Sequence, residues 1–259
     1  MQNEHLIVNI EGPIMVLTLN RPESLNPFSS HMILGLSEAM EIARDNDDIR
    51  AVVIRGAGRA FSAGGDVKSM GVASSQQIYD HIGKLNECIK LMKDLPKPII
   101  AAVHGFAAGA GFNLALACDL IIAADNSKFV FSFSQVGLIS DGGGSYFFPR
   151  LVGPYRAKEL FFSGETVSAD QAKELGILNR VVPLESLESE TTKLAMKLAH
   201  GPSKAYGMMK KIIDRSYESS LDDILEQERI TQTLMIHTED HLEGVSAFKE
   251  KRKPQFKGK

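Results

Sequence analysis

Two short β-branched runs, each followed by a loop of small residues, constrain the fold of this chain more than any other feature. Residues 51–55 (AVVIR) precede FSAGGD at 61–66, and residues 99–103 (IIAAV) precede HGFAAGAG at 104–111. Runs of this composition and length are typical of buried parallel strands. Helical patterns separate them, and a repeated order of strand, glycine loop and helix predicts an α/β fold.

The rest of the chain divides into a strand-forming part and a helical part. Strands are predicted over residues 6–10, 14–19, 120–124 and 177–182, and helices over residues 28–44, 188–199, 202–216, 220–236 and 240–251. The first two strands flank a turn and form a hairpin. Asn26 and Pro27 open the first helical stretch. We therefore expect a core over residues 1–195 and a helical region over residues 196–259.

Charge and hydropathy argue against several classes of partner. The 29 basic and 32 acidic residues are spread along the chain and sum to −3, so no basic stripe is available for a phosphate backbone. No run of about 18 apolar residues and no leader-like segment occur, which argues against a membrane span or secretion. Cys88 and Cys118 lie in apolar periodic segments, as buried reduced thiols do. We expect a cytoplasmic protein with neither nucleic acid nor membrane as partner.

The two glycine loops follow predicted strands at the edge of the sheet where α/β proteins bind ligands. Helix N-termini and free loop N–H groups present partial positive charge there. Two such N–H groups aimed at one carbonyl oxygen would form an oxyanion hole, in which one donor contributes about 3 to 4 kcal/mol. Tight turns and close helix packing explain the glycines equally well. Neither loop matches GxGxxG, a Walker A loop or GxSxG, so dinucleotide, nucleotide and serine-hydrolase sites lack support.

Longer segments resemble the crotonase superfamily of enoyl-CoA hydratases and isomerases. They are FSAGGD, KPIIAAVHGFAAGAGFNLALACDLIIA, VGLISDGGGSYFFPRLVG, AKEL, LGILNRVV and EGVSAFKEKRKPQF, in the expected order over essentially the whole chain. The resemblance implies an α/β fold built as a ββα spiral, a helical C-terminal trimerisation region, and a homotrimer or a dimer of trimers. It also implies an acyl-CoA thioester substrate that brings its own coenzyme A, with no permanently bound cofactor and no metal.

The same resemblance assigns the residues that hold the thioester. The backbone amides of Gly65 and Ala110 would bind its carbonyl oxygen. Contacts with the substrate are implied for Leu25, Ala63, Gly64, Asp66, Val67, Phe112, Asn113 and Phe133. Lys257 would reach a CoA phosphate from a neighbouring subunit.

Hydratases of this superfamily use two glutamates to activate and deliver water, and this chain has neither. Asn113 occupies the first position and Phe133 the second. An asparagine cannot act as a base at neutral pH, and a phenylalanine excludes water where a hydratase holds it. Hydration of a simple enoyl-CoA is therefore disfavoured, although a hydratase that holds water with other groups stays open.

Asp141, in the glycine-rich segment ISDGGG, is the carboxylate that remains. Its spacing alone makes it a candidate N-cap of the following helix. Together with Asn113 it resembles the 1,2-epoxyphenylacetyl-CoA isomerase and enoyl-CoA isomerase subgroup, in which one carboxylate transfers the proton. We expect Asp141 to remove an α or γ hydrogen from the polarised thioester and to return a proton to the other carbon. Apolar Phe112, Phe131 and Phe133 would raise its pKa.

Other interpretations remain open. A dehalogenase would use the aspartate as a nucleophile, but that pattern includes a tryptophan and this chain has none. A non-catalytic acyl-CoA binder would hold the ester without turning it over. His237 and His241 have a spacing that can ligate zinc on a helix, yet HTEDH is not HExxH and no third ligand is evident. His104 either lines the pocket or has a structural role.

Overall fold

A computed structural model describes residues 4–66 and 73–259 of the chain. The strands are β1 (Leu6–Glu11), β2 (Ile14–Leu19), β3 (Pro27–Phe28), β4 (Ala51–Gly56), β5 (Gly64–Gly65), β6 (Ile99–Val103), β7 (Phe106–Ala108), β8 (Leu120–Ala124), β9 (Lys128–Val130), β10 (Thr166–Ser168) and β11 (Arg180–Val182). The helices are α1 (Ser30–Asp45), α2 (Ser75–Asp94), α3 (Ala110–Ala117), α4 (Gly144–Val152), α5 (Pro154–Ser163), α6 (Ala169–Glu174), α7 (Leu187–Ala199), α8 (Ser203–Ser216), α9 (Leu221–Met235) and α10 (Glu239–Lys249). Within these described ranges, no helix is both long and apolar enough to cross a membrane.

A six-stranded sheet with the order β1-β2-β4-β6-β8-β11 forms the centre of the fold. β1 and β2 are the antiparallel hairpin expected from the sequence, and all later neighbours pair in parallel. The strands predicted over residues 51–55, 99–103 and 120–124 are confirmed as β4, β6 and β8. Because β4 and β6 run side by side in the same direction, the two glycine loops leave the same edge of the sheet.

Two predicted boundaries are wrong. β11 begins at Arg180, later than predicted, because the Asn179 side chain accepts a 2.7 Å hydrogen bond from the Ile121 amide in place of a strand pair. The first helix, predicted from residue 28, begins at Ser30, because Pro27 and Phe28 form strand β3 instead.

Two apolar layers cover the faces of the central sheet. The larger layer includes side chains of α1, α2 and α3, and it contains Cys88 and Cys118, which are free and buried as predicted. The smaller layer includes side chains of α7, among them Leu187, Ala195 and Ala199, together with the opposite face of the sheet. The predicted domain boundary after residue 195 therefore falls inside a helix that packs on the sheet.

Two smaller sheets support the glycine loops. β10, β9 and β7 form a three-stranded sheet, and β3 pairs in parallel with β5. β5 belongs to the first glycine loop and β7 to the second. Phe28 of β3 lies opposite Gly65 of β5. The short strand β3, just before α1, therefore supports the backbone of the first loop.

The helices predicted beyond residue 186 are confirmed as α7 to α10. Many apolar side chains of α8, α9 and α10 are exposed, including Leu221 at 72% and Phe248 at 86%. A groove of about 1120 Å³ runs between these three helices. The tail after α10 folds back on it, because the buried carboxylate of Asp240 accepts hydrogen bonds from the amides of Lys257 at 2.6 Å and Gly258 at 2.9 Å.

Candidate active site

The two glycine loops lie directly against each other. The Phe61 amide donates a 2.8 Å hydrogen bond to the His104 carbonyl oxygen, and the Ser62 amide donates to Phe106 at 3.0 Å. In return, the Ala108 amide donates to the Ser62 carbonyl oxygen at 2.9 Å. The first loop therefore continues as a strand-like neighbour of β7, which brings residues 63–66 beside the start of α3.

Glycine is required where these loops cross. Gly64 has a left-handed backbone with φ of +84°, and an added Cβ would lie 2.9 Å from the Ala110 nitrogen and would collide with the Ala108 carbonyl oxygen. A Cβ on Gly111 would come within 2.7 Å of Ser62. Contacts below 3.0 Å force the backbone to shift. The small residues thus serve a close backbone approach between the loop that carries Gly65 and the helix that begins at Ala110.

The first turn of α3 offers backbone donors at this crossing. Ala110 is its first residue, and Gly109 precedes it without a side-chain cap. The first N–H groups of a helix have no acceptor within the helix, and they carry the positive end of its dipole. Joint binding of a thioester oxygen by Ala110 and by Gly65 of the adjacent loop stays a prediction.

Asp141 lies in the turn before α4, and the alternative that its spacing suggested, the N-cap of that helix, is wrong. Gly143, with φ of 86°, is the N-cap and provides no side-chain bond. The main-chain oxygen of Asp141 accepts from the Gly144 amide at 3.1 Å. Its half-buried carboxyl group keeps one covered oxygen, Oδ1, for which the described residues supply no hydrogen-bond donor. Burial raises the pKa of Asp141 from 3.8 to about 6.

Asn113 connects the Asp141 turn to α3. Its side-chain Nδ2 donates to the main-chain oxygen of Asp141 at 2.7 Å and to the Ser140 hydroxyl at 3.0 Å. The Asn113 Oδ1 is covered beside Gly144, where any Cβ would overlap it. Asn113 lies one helical turn after Ala110, so the turn that carries Asp141 is tied to the same helix as the proposed amide donor.

The sequence matches the model of the family described as enoyl-CoA hydratase/isomerase over residues 9–259. This chain belongs to the enoyl-CoA hydratase/isomerase family. It is 41% identical to the 1,2-epoxyphenylacetyl-CoA isomerase of Escherichia coli, with 99% of each chain covered. It is 33% identical to the trans-2-decenoyl-[acyl-carrier-protein] isomerase of Streptococcus mutans, with 100% of each covered.

Solved structures of the family support the fold. The enoyl-CoA hydratase of Bacillus anthracis superposes with a TM-score of 0.94 at 33% identity, and the alignment covers 98% of this chain and 100% of that one. The crotonase-type α/β architecture expected from the sequence is therefore confirmed. Its relatives include proteins named as isomerases and proteins named as hydratases, so the family alone does not choose between the two activities.

The three phenylalanines predicted to lie around Asp141 occupy two kinds of position. Phe133 is half-buried and lies against the second loop, since a Cβ on Gly109 would be 3.5 Å from its ring. Phe112 and Phe131 are covered in the core, with ring centroids 4.7 Å apart. Contact of Phe112 or Phe133 with a substrate, and an effect of the three rings on Asp141, stay predictions.

The other predicted contact residues fall into two places. The Leu25 carbonyl oxygen accepts from the Ala63 amide at 2.7 Å, so Leu25 lies beside the segment that includes Gly64 and Asp66. Val67 lies outside the described residues. Lys257 is part of the tail against α10. Its predicted contact with a CoA phosphate of a neighbouring subunit stays a prediction.

The histidines have structural positions. His104 Nε2 forms a 2.9 Å hydrogen bond with the Gly58 carbonyl oxygen. His237 and His241 are both exposed and do not share a helix, because His237 lies in the turn before α10. The predicted helical pair is therefore wrong. Within the described ranges, no group of three or more His, Cys, Asp or Glu side chains is placed to hold a metal ion.

Sequence reasoning missed Arg21, Asn26 and Ser140. Ser140 is the second acceptor for the Asn113 amide, and Asn26 is fully buried beneath the first loop. Asn26 was interpreted as a helix start, although asparagine tolerates a left-handed backbone and its side chain often bonds nearby main-chain groups. These two properties of asparagine are the signal that could have indicated a tight turn at Asn26.

Proposed function

We propose that this protein is an enoyl-CoA isomerase that shifts a double bond along the acyl chain of an acyl-CoA thioester. Asp141 acts as the single acid and base, and the amides of Gly65 and Ala110 hold the thioester oxygen. The observation that carries the proposal is the Asp141 carboxyl group, which has a covered, unpartnered oxygen and a pKa raised to about 6 beside the N-terminus of α3.

The reaction follows from the charges at this site. A 3-enoyl thioester loses an α proton to the Asp141 carboxylate, and its electrons form a dienolate whose negative oxygen accepts from Gly65 and Ala110. Each such donor contributes about 3 to 4 kcal/mol to the transition state. The protonated carboxyl group then returns its proton to the γ carbon, which gives the conjugated 2-enoyl thioester. No water is consumed, and the number of bonds to hydrogen is unchanged.

The environment of Asp141 suits both proton transfers, the removal of the α proton and the return of a proton to the γ carbon. A pKa near 6 leaves the carboxylate ionised at neutral pH, while it is more basic than an ordinary aspartate. Among the described residues none donates to Oδ1, so that oxygen has no hydrogen bond from them to give up when it takes a proton. Asn113 holds the turn through the main chain, which leaves the carboxyl group free to exchange a proton with substrate.

A hydratase that adds water to a 2-enoyl-CoA is the second candidate, because relatives with that activity in their names share the fold. Such a reaction needs a held water and a second acid. The side chains at the two positions are an amide, Asn113, and an aromatic ring, Phe133, and neither can activate water. A protein that binds acyl-CoA without turnover is the third candidate.

One set of assays separates these three activities. Wild-type protein is expected to convert 3-enoyl-CoA to 2-enoyl-CoA, measured as a rise in conjugated-thioester absorbance, and to leave added 2-enoyl-CoA unhydrated. Asp141→Asn should lower kcat about a thousandfold or more, because the only proton carrier is lost. The control is Asp48→Asn, an exposed aspartate after α1. Full isomerase activity in Asp141→Asn would disprove the assignment, and loss of 2-enoyl absorbance would favour the hydratase.

We also propose that the chain assembles as a homotrimer or a dimer of trimers in the cytoplasm. The exposed apolar side chains of α8, α9 and α10 favour association, since contiguous exposed apolar surface is typical of subunit interfaces. In such an assembly Lys257 would reach the CoA phosphate of a neighbouring copy. Light scattering on the purified protein tests the stoichiometry, and Lys257→Ala should raise KM for acyl-CoA with little change in kcat.

A further inference from the structure

We propose that Arg21 and Asn26 are positioning residues that hold the Gly65 amide where the thioester oxygen develops negative charge. We call them the loop clamp. The inference rests on the proposed function, because it assumes that the Gly65 amide is used as a donor. Neither side chain is assigned to bind substrate, and both act through the backbone of the first glycine loop.

The backbone beneath the loop is strained. Leu25 and Asn26 are consecutive non-glycine residues with left-handed backbones, at φ of 66° and 55°. L-residues rarely adopt this conformation, and it persists only where the surrounding structure enforces it. Such residues cluster at functional sites. The strain at Leu25 and Asn26 therefore points to a requirement beyond folding alone.

The side chain of Asn26 holds this left-handed backbone in place. Its side chain is fully buried, and all its hydrogen-bonding groups are used. The Asn26 Oδ1 accepts from the Arg21 amide at 2.8 Å. Its Nδ2 contacts three carbonyl oxygens of the segment that leads into the loop, those of Ala57 at 2.8 Å, Ala60 at 2.8 Å and Phe61 at 3.3 Å. One amide thus fixes the strained turn and the entry of the loop together.

A chain of hydrogen bonds continues from Asn26 to the residue before Gly65. The main-chain oxygen of Asn26 accepts from the Ser62 hydroxyl at 2.8 Å. The same hydroxyl oxygen accepts from the Gly64 amide at 3.1 Å. Gly64 is therefore held on the Asn26 side of the loop.

Arg21 holds the residue after Gly65. Its Nη1 pairs with Asp66 Oδ2 at 2.9 Å and also donates to the Pro27 carbonyl oxygen at 3.1 Å. Pro27 belongs to β3, whose next residue lies opposite Gly65. Gly65 is consequently fixed from both neighbours. Because an oxyanion donor must be held within about 0.5 Å of its productive position, loosening either neighbour weakens the transition state more than it weakens substrate binding.

The test uses Arg21→Met, which removes both side-chain contacts but keeps the apolar stem. We expect kcat to fall about tenfold or more while KM for 3-enoyl-CoA changes by less than about threefold. The infrared stretch of an isotope-labelled thioester carbonyl in bound acyl-CoA should move back toward its value in water. Arg21→Lys, which keeps one contact, should give intermediate values. Asn26→Ala loses buried hydrogen bonds and is expected to unfold more readily, so the Arg21 variants carry the test.

The matched control is Arg55→Met. Arg55 also links separate elements, through Glu188 at 2.7 Å and Thr18 at 3.1 Å, but on the α7 face of the sheet. It should leave the carbonyl stretch unchanged. The proposal would be overturned if the carbonyl stretch of acyl-CoA bound to Arg21→Met had the wild-type frequency. A kcat that falls only in proportion to the folded fraction would overturn it as well. Wild-type protein that shifts the carbonyl stretch but isomerises no substrate would instead overturn the proposed function, with the clamp still supported by the Arg21 variants.

Discussion

The side-chain amide of Asn113 donates a 2.7 Å hydrogen bond to the main-chain oxygen of Asp141. This bond joins the turn that carries Asp141 to the helix that begins at Ala110. In the proposed mechanism, the distance between the carboxyl group and a bound thioester therefore depends on Asn113, which the resemblance to the family places where hydratases have a glutamate.

We expect Asn113→Ala to lower kcat for isomerisation about 10- to 100-fold, because the Asp141 turn loses its link to α3. Unfolding free energy should fall by about 1 to 2 kcal/mol through loss of buried hydrogen bonds. Steady-state kinetics and urea denaturation provide the measurements. Asn179→Ala is the control. It removes a comparable side-chain hydrogen bond, the one that Asn179 accepts from the Ile121 amide, at a position outside the proposed site, and it should leave kcat unchanged.

The pKa of Asp141 predicts the pH dependence of isomerisation. The base must be ionised, so kcat/KM should fall about tenfold per unit as pH drops below about 6 and should be level above it. Initial rates between pH 4.5 and 8, about the range in which carboxylates and histidines titrate, test this profile. A profile that stays level down to about pH 4, the ordinary range of an aspartate, would contradict a buried base.

The same group should reduce stability at neutral pH. Its pKa is raised on folding, so the folded state binds the proton more tightly and wild-type stability is lost as pH rises from about 4 to about 6. An amide does not titrate. Asp141→Asn should therefore be more stable than wild type by about 1 to 3 kcal/mol at pH 8 and nearly equal at about pH 4. Urea denaturation at both pH values measures the difference, and an equal gain at both would exclude a role for ionisation.

Gly64→Ala should abolish most isomerase activity. A Cβ there meets the Ala108 oxygen and the Ala110 nitrogen, so the two loops must separate. We expect kcat to fall about a hundredfold or more and unfolding free energy to fall by about 2 kcal/mol or more. Gly12→Ala is matched in backbone strain, with φ of +59° and open space around it. It should cost about 1 kcal/mol and leave kcat intact.

Much of the fold could be predicted because strands that are buried on both faces of a sheet consist mainly of apolar residues. The runs that form β4 and β6, AVVIR and IIAAV, are apolar at every position except Arg55, which is typical of central parallel strands. The start of β11 could not be predicted, because the Asn179 side chain accepts the hydrogen bond of the Ile121 amide just before the strand. A side-chain substitution for a backbone bond has no periodicity and therefore no signal in a sequence pattern.

The sequence predicts the contact between the two glycine loops of the site better than it predicts the surroundings of Asp141. Loops after neighbouring parallel strands must meet at one edge of the sheet, so contact between residues 61–66 and 104–111 follows from topology. The surroundings of Asp141 did not follow. Its glycine-rich context is equally typical of a helix cap, and only the positive φ of Gly143 shows that the helix begins without it. Burial and missing donors are properties of packing that one sequence does not display.

The asparagine beneath the first loop is followed directly by Pro27. Spontaneous deamidation of asparagine usually proceeds by ring closure, in which the nitrogen of the next residue attacks the side-chain carbonyl. A proline nitrogen carries no hydrogen, so this route is closed at Asn26. The amide that joins three carbonyl oxygens at the entry of the first loop is thus protected from this route of deamidation.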